Sequence, residues 1–172
     1  MQSLWAKLLA GEANNPGTFS KRTVEFTSNM DKSDAQLFTN LCSFGWFIGQ
    51  VFPLVYDADH EVYNQKGITF ASLKHLDDIG LISFQSLAGF RTQGHGKPAT
   101  FFYYREPISI EFQGAEKNDF QLGKVLLTKV GQELAPVCGS TKSVDFMDYV
   151  VGEWNKLGYI TSCPLNNKTD AT

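Results

Sequence analysis

Apolar residues recur at helical spacing through much of this chain, and the interruptions mark where each helix begins and ends. The clearest case is Gly67 to Phe84, GITFASLKHLDDIGLISF. Thr69 is a good N-cap, because its hydroxyl can accept an orphan N–H of the first turn. Ile68 before it and Leu73 after it stand at the spacing of a hydrophobic staple. Phe70, Leu73 and Leu76 form an apolar stripe, which predicts a helix over 69–79. Gly80 supplies a left-handed stop, with Leu81 folding back on Leu76. Leu81 to Phe84 then reads as a strand.

The same reasoning runs along the rest of the chain. Leu4, Trp5, Leu8 and Leu9 predict a first helix over 2–12, and Asn14-Asn15-Pro16-Gly17 a turn. Ser20 caps a second helix over 20–30, with Phe19 and Val24 at staple spacing. Ser33-Asp34-Ala35-Gln36 has the form of a capping box for a third helix, buried through Leu37, Phe38, Leu41, Cys42 and Phe44. Val51 to Tyr56 reads as a short strand broken by Pro53. Asp57 to Gln65 reads as a short helix. Gly89, Gly94, Gly96 and Pro98 predict a flexible loop. Phe101 to Tyr104, Ile108 to Phe112 and Phe120 to Leu127 are predicted strands, with Arg105-Glu106-Pro107 a tight turn or bulge. Thr128 caps a helix limited by Pro136, whose Gly131 would let helix and strand approach closely. Ser143 opens a last helix over 143–157, striped by Met147, Val150, Val151, Trp154 and Leu157 and ended by Gly158. Leu157-Gly158-Tyr159-Ile160 repeats the stop chemistry of Ile79-Gly80-Leu81-Ile82. From Asn166 on, the polar tail is expected to fray.

Two phrases resemble winged-helix domains: L-x-x-L-x-x-x-G-L-I, like their third helix and first wing strand, and L-T-x-x-G-x-E-L at Leu127 to Leu134, like the segment that leaves the wing. The resemblance implies an α+β fold with a winged-helix-like core over 33–137 and an enlarged antiparallel β wing. A helical pair at 1–32 and a C-terminal helix and tail at 138–172 would pack on that core.

Composition narrows the function classes. The 172 residues suffice for one domain with a helical annex. Fourteen Phe, six Tyr and three Trp give the core an aromatic character. A net charge of −3 means that nucleic-acid binding would need a local basic patch. Cys42, Cys138 and Cys163 are odd in number and widely spaced, so they read as reduced thiols of a cytoplasmic protein rather than a disulfide framework. Cys42 reads as a small core residue. With no C-x-x-C pair and three histidines (His60, His75 and His95), a zinc site has little support. The N-terminus lacks a signal peptide's basic start and long apolar run, and no stretch is long and apolar enough to span a membrane.

Candidate chemistry is sparse. Lys21 and Arg22 sit in a first turn where the helix dipole disfavours cations. They mark either an anion site or pairing with Glu25 or Glu12. Asp57, Asp59 and Glu61 lack the glycine and distant glutamate of a calcium loop, and read as a solvated turn. Around Gly94 the P-loop pattern fails, because His95 follows Gly94 and Pro98 follows Lys97. No base and orienter converge on a Ser or Cys, so the chain is read as a non-enzyme with no cofactor, metal or catalytic residues.

Two binding functions remain. In one, the winged-helix-like unit presents its helix or wing to a protein partner through exposed aromatics among Phe101 to Tyr104. In the other, the helix over 69–79 enters DNA with Ser72, Lys74, His75 and Asp78. Arg91, His95, Lys97 and Arg105 on the wing would then touch phosphate. Asp77, Asp78 and the net charge weigh against the second. A protein partner is therefore the expectation, with oligomeric state open.

The N-terminal third carries a more specific resemblance. Met1-Gln2, Leu4-Trp5-Ala6, Leu9-Ala10-Gly11-Glu12, Pro16-Gly17, Phe19-Ser20 and Arg22-Thr23 resemble a bacterial family of uncharacterised proteins, the domain of unknown function numbered twenty-eight-oh-six. Ser33 to Phe38 and the central helix also fit it. The resemblance implies that these first residues sit inside a longer protein, so that Met1 marks a truncation or an internal start. It also implies a setting of phage defence or mobile elements. It brings no activity and no site residues.

Overall fold

The computed structural model describes residues 2–162, apart from the side chains of Gln2, Ser3 and Trp5. Cys163 and the tail from Asn166 lie outside the described residues. The fold is α+β. Helices α1 (Gln2–Asn14), α2 (Lys21–Ser28) and α3 (Lys32–Cys42) come first, followed by the hairpin β1 (Gly45–Ile48) and β2 (Gln50–Pro53). Then come α4 (Glu61–Asn64), α5 (Phe70–Asp78) and β3 (Ile82–Phe84). Strands β4 (Phe90–His95), β5 (Ala99–Tyr103), β6 (Glu106–Glu111), β7 (Asn118–Gly123) and β8 (Val125–Leu127) follow. The described chain closes with α6 (Lys129–Leu134), α7 (Val144–Lys156) and β9 (Ile160–Ser162).

Helix α5 has the predicted ends. Thr69 Oγ1 accepts the Ser72 N–H at 3.3 Å and Ser72 Oγ accepts the Thr69 N–H at 2.8 Å, a reciprocal capping box. At the other end the Leu81 N–H reaches Leu76 O at 3.0 Å and the Gly80 N–H reaches Asp77 O at 2.9 Å. That pair of bonds is a Schellman stop, and it needs the left-handed residue Gly80, at φ +88°. Helix α7 stops the same way. The Tyr159 N–H donates to Trp154 O at 2.9 Å and the Gly158 N–H to Asn155 O at 3.1 Å.

A five-stranded sheet runs in the order β2-β1-β5-β6-β9, with every neighbouring pair antiparallel. Strands β3 and β8 form a second pair, and β4 and β7 a third. The predicted pairing of 120–127 with earlier strands is therefore present, but divided between β4 and β3. The division falls at Gly123, whose neighbour Lys124 donates its N–H to Val55 O at 2.7 Å. The turn between β5 and β6 is tight, with Tyr104 and Arg105 both at positive φ (47° and 72°).

Helix α7 covers one face of the large sheet. Trp46 stacks on Tyr103 with ring centroids 5.0 Å apart, and Trp154 meets Trp46 edge-on at 4.7 Å. Trp154 Nε1–H donates to Tyr56 Oη at 2.8 Å, and Tyr56 passes its own proton to Gln121 O at 3.0 Å. Phe146 completes this face beside Tyr103 and Phe44. Burying such rings supplies both area and edge-to-face contacts.

Several expectations are corrected. Asp31, not Ser33, is the N-cap of α3, and no capping box forms. Met30 and Ala35, both buried, sit at staple positions around that cap and fix where the helix enters. Phe70 is 53% exposed, because α5 turns its first residue outward against the edge of Phe84. Leu9 of α1 and Leu157 beyond α7 are exposed too. The predicted loop at 89–98 contains β4, which pairs with β7 through two register shifts. The expected strand at 51–56 ends at Pro53, and a strand is present before it over Gly45–Ile48.

A candidate interaction groove

The open face of the large sheet carries an apolar row set by strand register. Phe47 stands opposite Val51 on β2 and opposite Phe102 on β5, and Phe102 stands opposite Pro107 on β6. Directly opposed residues share a face. Val51, Phe47, Phe102 and Pro107 therefore form one line across four strands, on the side away from Trp46 and Tyr103. Phe47 is 50% and Phe102 40% exposed. Of the four adjacent aromatics in the predicted interface, Phe101 and Tyr103 are buried and Phe102 points outward; Tyr104 is half-buried.

Beside this row lies a cavity of about 270 Å³ whose lining includes Phe47, Phe102 and Tyr104 on the sheet side and Ala135, Pro136 and Gly139 opposite. Arg105, at the rim, is the single charged residue in that lining. Tyr104 Oη lies 2.6 Å from Ser140 Oγ and 3.3 Å from Cys42 O, tying the two walls together. The edge strand beside the groove is closed to further strands. Gln132 accepts the Val51 N–H at 3.2 Å and donates to Val51 O at 2.6 Å, so its amide occupies the backbone groups a new strand would use.

The cations singled out from the sequence are mostly paired within the chain. Lys74 Nζ sits 2.7 Å from Asp78 and 3.1 Å from Asp77, and His75 Nε2 lies 2.8 Å from Asp34. Arg91 meets Asp119 at 3.6 Å and Lys97 meets Glu111 at 3.1 Å. His95 packs among Phe101, Phe112 and Phe120 with Nε2 2.6 Å from Thr92 Oγ1. Burial pushes its pKa down, against a smaller upward pull from Asp119. Arg105 forms no ion pair among the described residues. These residues do not converge: Lys74 and His75 are on α5, Arg91 and His95 on β4, and Arg105 at the groove.

Lys21 and Arg22 make no ion pair among the described residues either. The start of α2 already holds carboxylates of the chain itself. Glu133 accepts the Ser20 N–H at 2.8 Å, and Glu12 accepts those of Phe19 and Gly17 at 2.6 and 3.0 Å. Sequence reasoning missed this use of Glu133, and also the outward row, because both depend on residues far apart in the chain.

Among the described residues no group of three or more His, Cys, Asp or Glu is placed to hold a metal ion. None of the described helices is long and apolar enough to cross a membrane. No curated protein and no solved structure matches the chain. A family model does: residues 1–151 match the family described as protein of unknown function (DUF2806), and the chain belongs to that family.

Proposed function

We propose that this chain is a non-enzymatic protein-interaction module, and that its groove beside β1 and β5 takes a partner segment pairing an apolar side chain with a carboxylate. The observation that carries this reading is the row Val51, Phe47, Phe102 and Pro107, with two half-exposed phenylalanines at its centre. Clustered exposed aromatics are what interface cores are made of. Arg105 supplies the charge preference, since the groove contains no acid of its own to satisfy it. Because Gln132 seals the β2 edge, the partner docks on side chains rather than adding a strand.

The winged-helix-like reading of 33–137 belongs with this proposal. It rests on α5, its Gly80 stop, the β3–β8 pair and the Thr128-capped helix that follows. DNA binding through that unit is the weaker alternative, because Lys74, Arg91 and Lys97 each face an acid that phosphate would have to displace.

The test is selection of displayed random peptides against the folded protein. Enriched peptides should carry an apolar residue beside Asp or Glu. Phe102→Asp and Arg105→Glu should each weaken them by at least about tenfold while thermal melts stay two-state. Peptides that bind Phe102→Asp as well as the parent count against the groove. Sedimentation of the parent separates a second copy of the chain from a foreign partner. A labelled-duplex titration at several salt concentrations tests the alternative. Nanomolar, sequence-selective binding would overturn the protein-module reading if removing Arg91, Lys97 and Arg105 flattened its salt slope by about two to three units.

A further inference from the structure

Two cysteines far apart in the sequence meet behind the groove. Cys42 is the last residue of α3 and Cys138 lies just past α6; both are buried free thiols. Each thiol shifts the titration of the other, and the Cys138 S–H donates to Ala135 O at 3.2 Å. Their backbones are held in place from both sides. Thr39 Oγ1 donates to Ala35 O at 2.8 Å and lies 3.2 Å from Cys138 O, while Tyr104 Oη spans Cys42 O and Ser140 Oγ. Both residues, though buried, border cavities. Cys42 lines the groove cavity, and Cys138 lines a second cavity of about 320 Å³ on its other side. We propose that Cys42 and Cys138 are a peroxide-oxidisable dithiol that closes to an intramolecular disulfide, joining the end of α3 to the segment after α6.

The surroundings divide the roles. Lys7 from α1 and Lys32 from α3 border the Cys138 cavity, and a side chain at Gly139 would stand 3.1 Å from Lys7 Nζ. Cations and hydrogen-bond donors favour a thiolate. Cys42 beside it pulls Cys138 down to about 6; burial opposes this, and Ser140 adds to the pull. Burial pushes the Cys42 thiol well up, and the neighbouring Cys138 adds to that. The remaining titratable group at the pair is Tyr104, raised by burial and neutral at physiological pH. Cys138 is therefore the nucleophile and Cys42 the resolving thiol.

The chemistry balances with hydrogen peroxide as oxidant. The Cys138 thiolate attacks one peroxide oxygen, the O–O bond breaks, and hydroxide leaves, giving a sulfenic acid at Cys138. That hydroxide takes the Cys42 proton and becomes water. The Cys42 thiolate then attacks the Cys138 sulfur, forming the S–S bond and expelling a second hydroxide, which is protonated from solvent. Two thiol sulfurs are oxidised, one peroxide is reduced, and two waters result.

The experiment uses the full chain carrying Cys163→Ser, so that the third cysteine does not compete. Peroxide should remove both remaining thiols from the native protein, and non-reducing peptide mapping should link the Cys42 and Cys138 peptides. The rate should rise through about pH 6 and then level off. In the Cys42→Ser variant Cys138 should stop at the sulfenic acid and be trapped by dimedone. In the Cys138→Ser variant Cys42 should react about a hundredfold more slowly near pH 7, from its smaller thiolate fraction. The native-state cross-link needs neither variant to fold. A cross-link that forms only in urea overturns the proposal. So does thiol loss no faster than that of free glutathione, with a rate still climbing above pH 8.

Discussion

Gly131→Ala should destabilise the protein by about 2 kcal/mol, although alanine is the better helix former by about 1 kcal/mol. Gly131 lies in α6, where an added Cβ would stand 2.3 Å from Leu81 O and 3.2 Å from Leu127 Cβ. Carbon and carbonyl oxygen rest at about 3.3 Å or more, so the two backbones would have to part by about 1 Å. Neither is free to do so. Leu81 O accepts the Thr128 N–H and hydroxyl, both at 3.1 Å, and the Leu81 N–H is committed to the Schellman stop of α5. Overpacking costs about 1–3 kcal/mol. Weakening one of the Thr128 bonds costs about 1 kcal/mol, which cancels the gain in helix propensity. The control is Gly152→Ala in α7, where nothing lies within 4 Å of the new Cβ. That change should stabilise by about 0.5–1 kcal/mol. Urea unfolding of both variants reads the difference, with equal m-values as the check that the same surface is exposed. A Gly131→Ala protein as stable as the parent would refute the close approach of α6 to Leu81.

Gly80→Ala should cost about 1 kcal/mol through backbone strain alone, since φ is +88° and the space around Gly80 is open. Thr69→Ala should cost a similar ~1 kcal/mol through the lost cap, and denaturant melts showing no loss for either would refute the two-ended account of α5. The backbone N–H groups of Phe19 and Gly17 hold Glu12 below its ordinary pKa. Burial pushes Glu133 up, but bonds from Ser20 and Thr23 outweigh it and the net shift is down. Folded values below unfolded ones give stability that is complete above about pH 4.3 and lost as pH falls through the folded values. The stability gap between the parent and a Glu12→Gln, Glu133→Gln double variant should therefore shrink from pH 6 toward pH 3; a gap independent of pH would refute it.

The parts of the fold legible in the sequence are those written within a few residues. Thr69 with Gly80, Thr128 with Gly131, and the repeated stop at Gly158 all act within a turn or two of their own position. The misreadings share a different cause. Strand β4 reads FRTQGH, polar and glycine-bearing, and it is a strand because β7 supplies its partner backbone. Phe70 completes a helical stripe on paper, yet α5 buries Leu73 and Leu76 and leaves it to Phe84. The alternation in Phe101 to Tyr104 was enough to predict that some rings face outward. That Phe102 lines up with Phe47 and Val51 is a matter of register among three strands, which no local pattern encodes.

The least conspicuous element links these features. Helix α6 has six residues, and three in succession serve three different neighbours. Gly131 sits against Leu81 at the corner after α5, Gln132 seals the backbone of β2 at Val51, and Glu133 accepts the Ser20 N–H at the start of α2. A helix so short gains little from its own hydrogen bonds, so its position depends on these contacts and on Val130 and Leu134 in the core. Its continuation then supplies Ala135, Pro136 and Gly139 to the groove and Cys138 to the thiol pair. Movement of α6 would therefore reach the groove wall, the sealed edge and the dithiol together. A disulfide between Cys42 and Cys138 would act on the same segment from its far end, against α3. The groove's geometry is thus set by an element anchored to the corner after α5, the β2 edge and the start of α2, which gives a chemical change at Cys138 a direct mechanical route to Phe47 and Phe102.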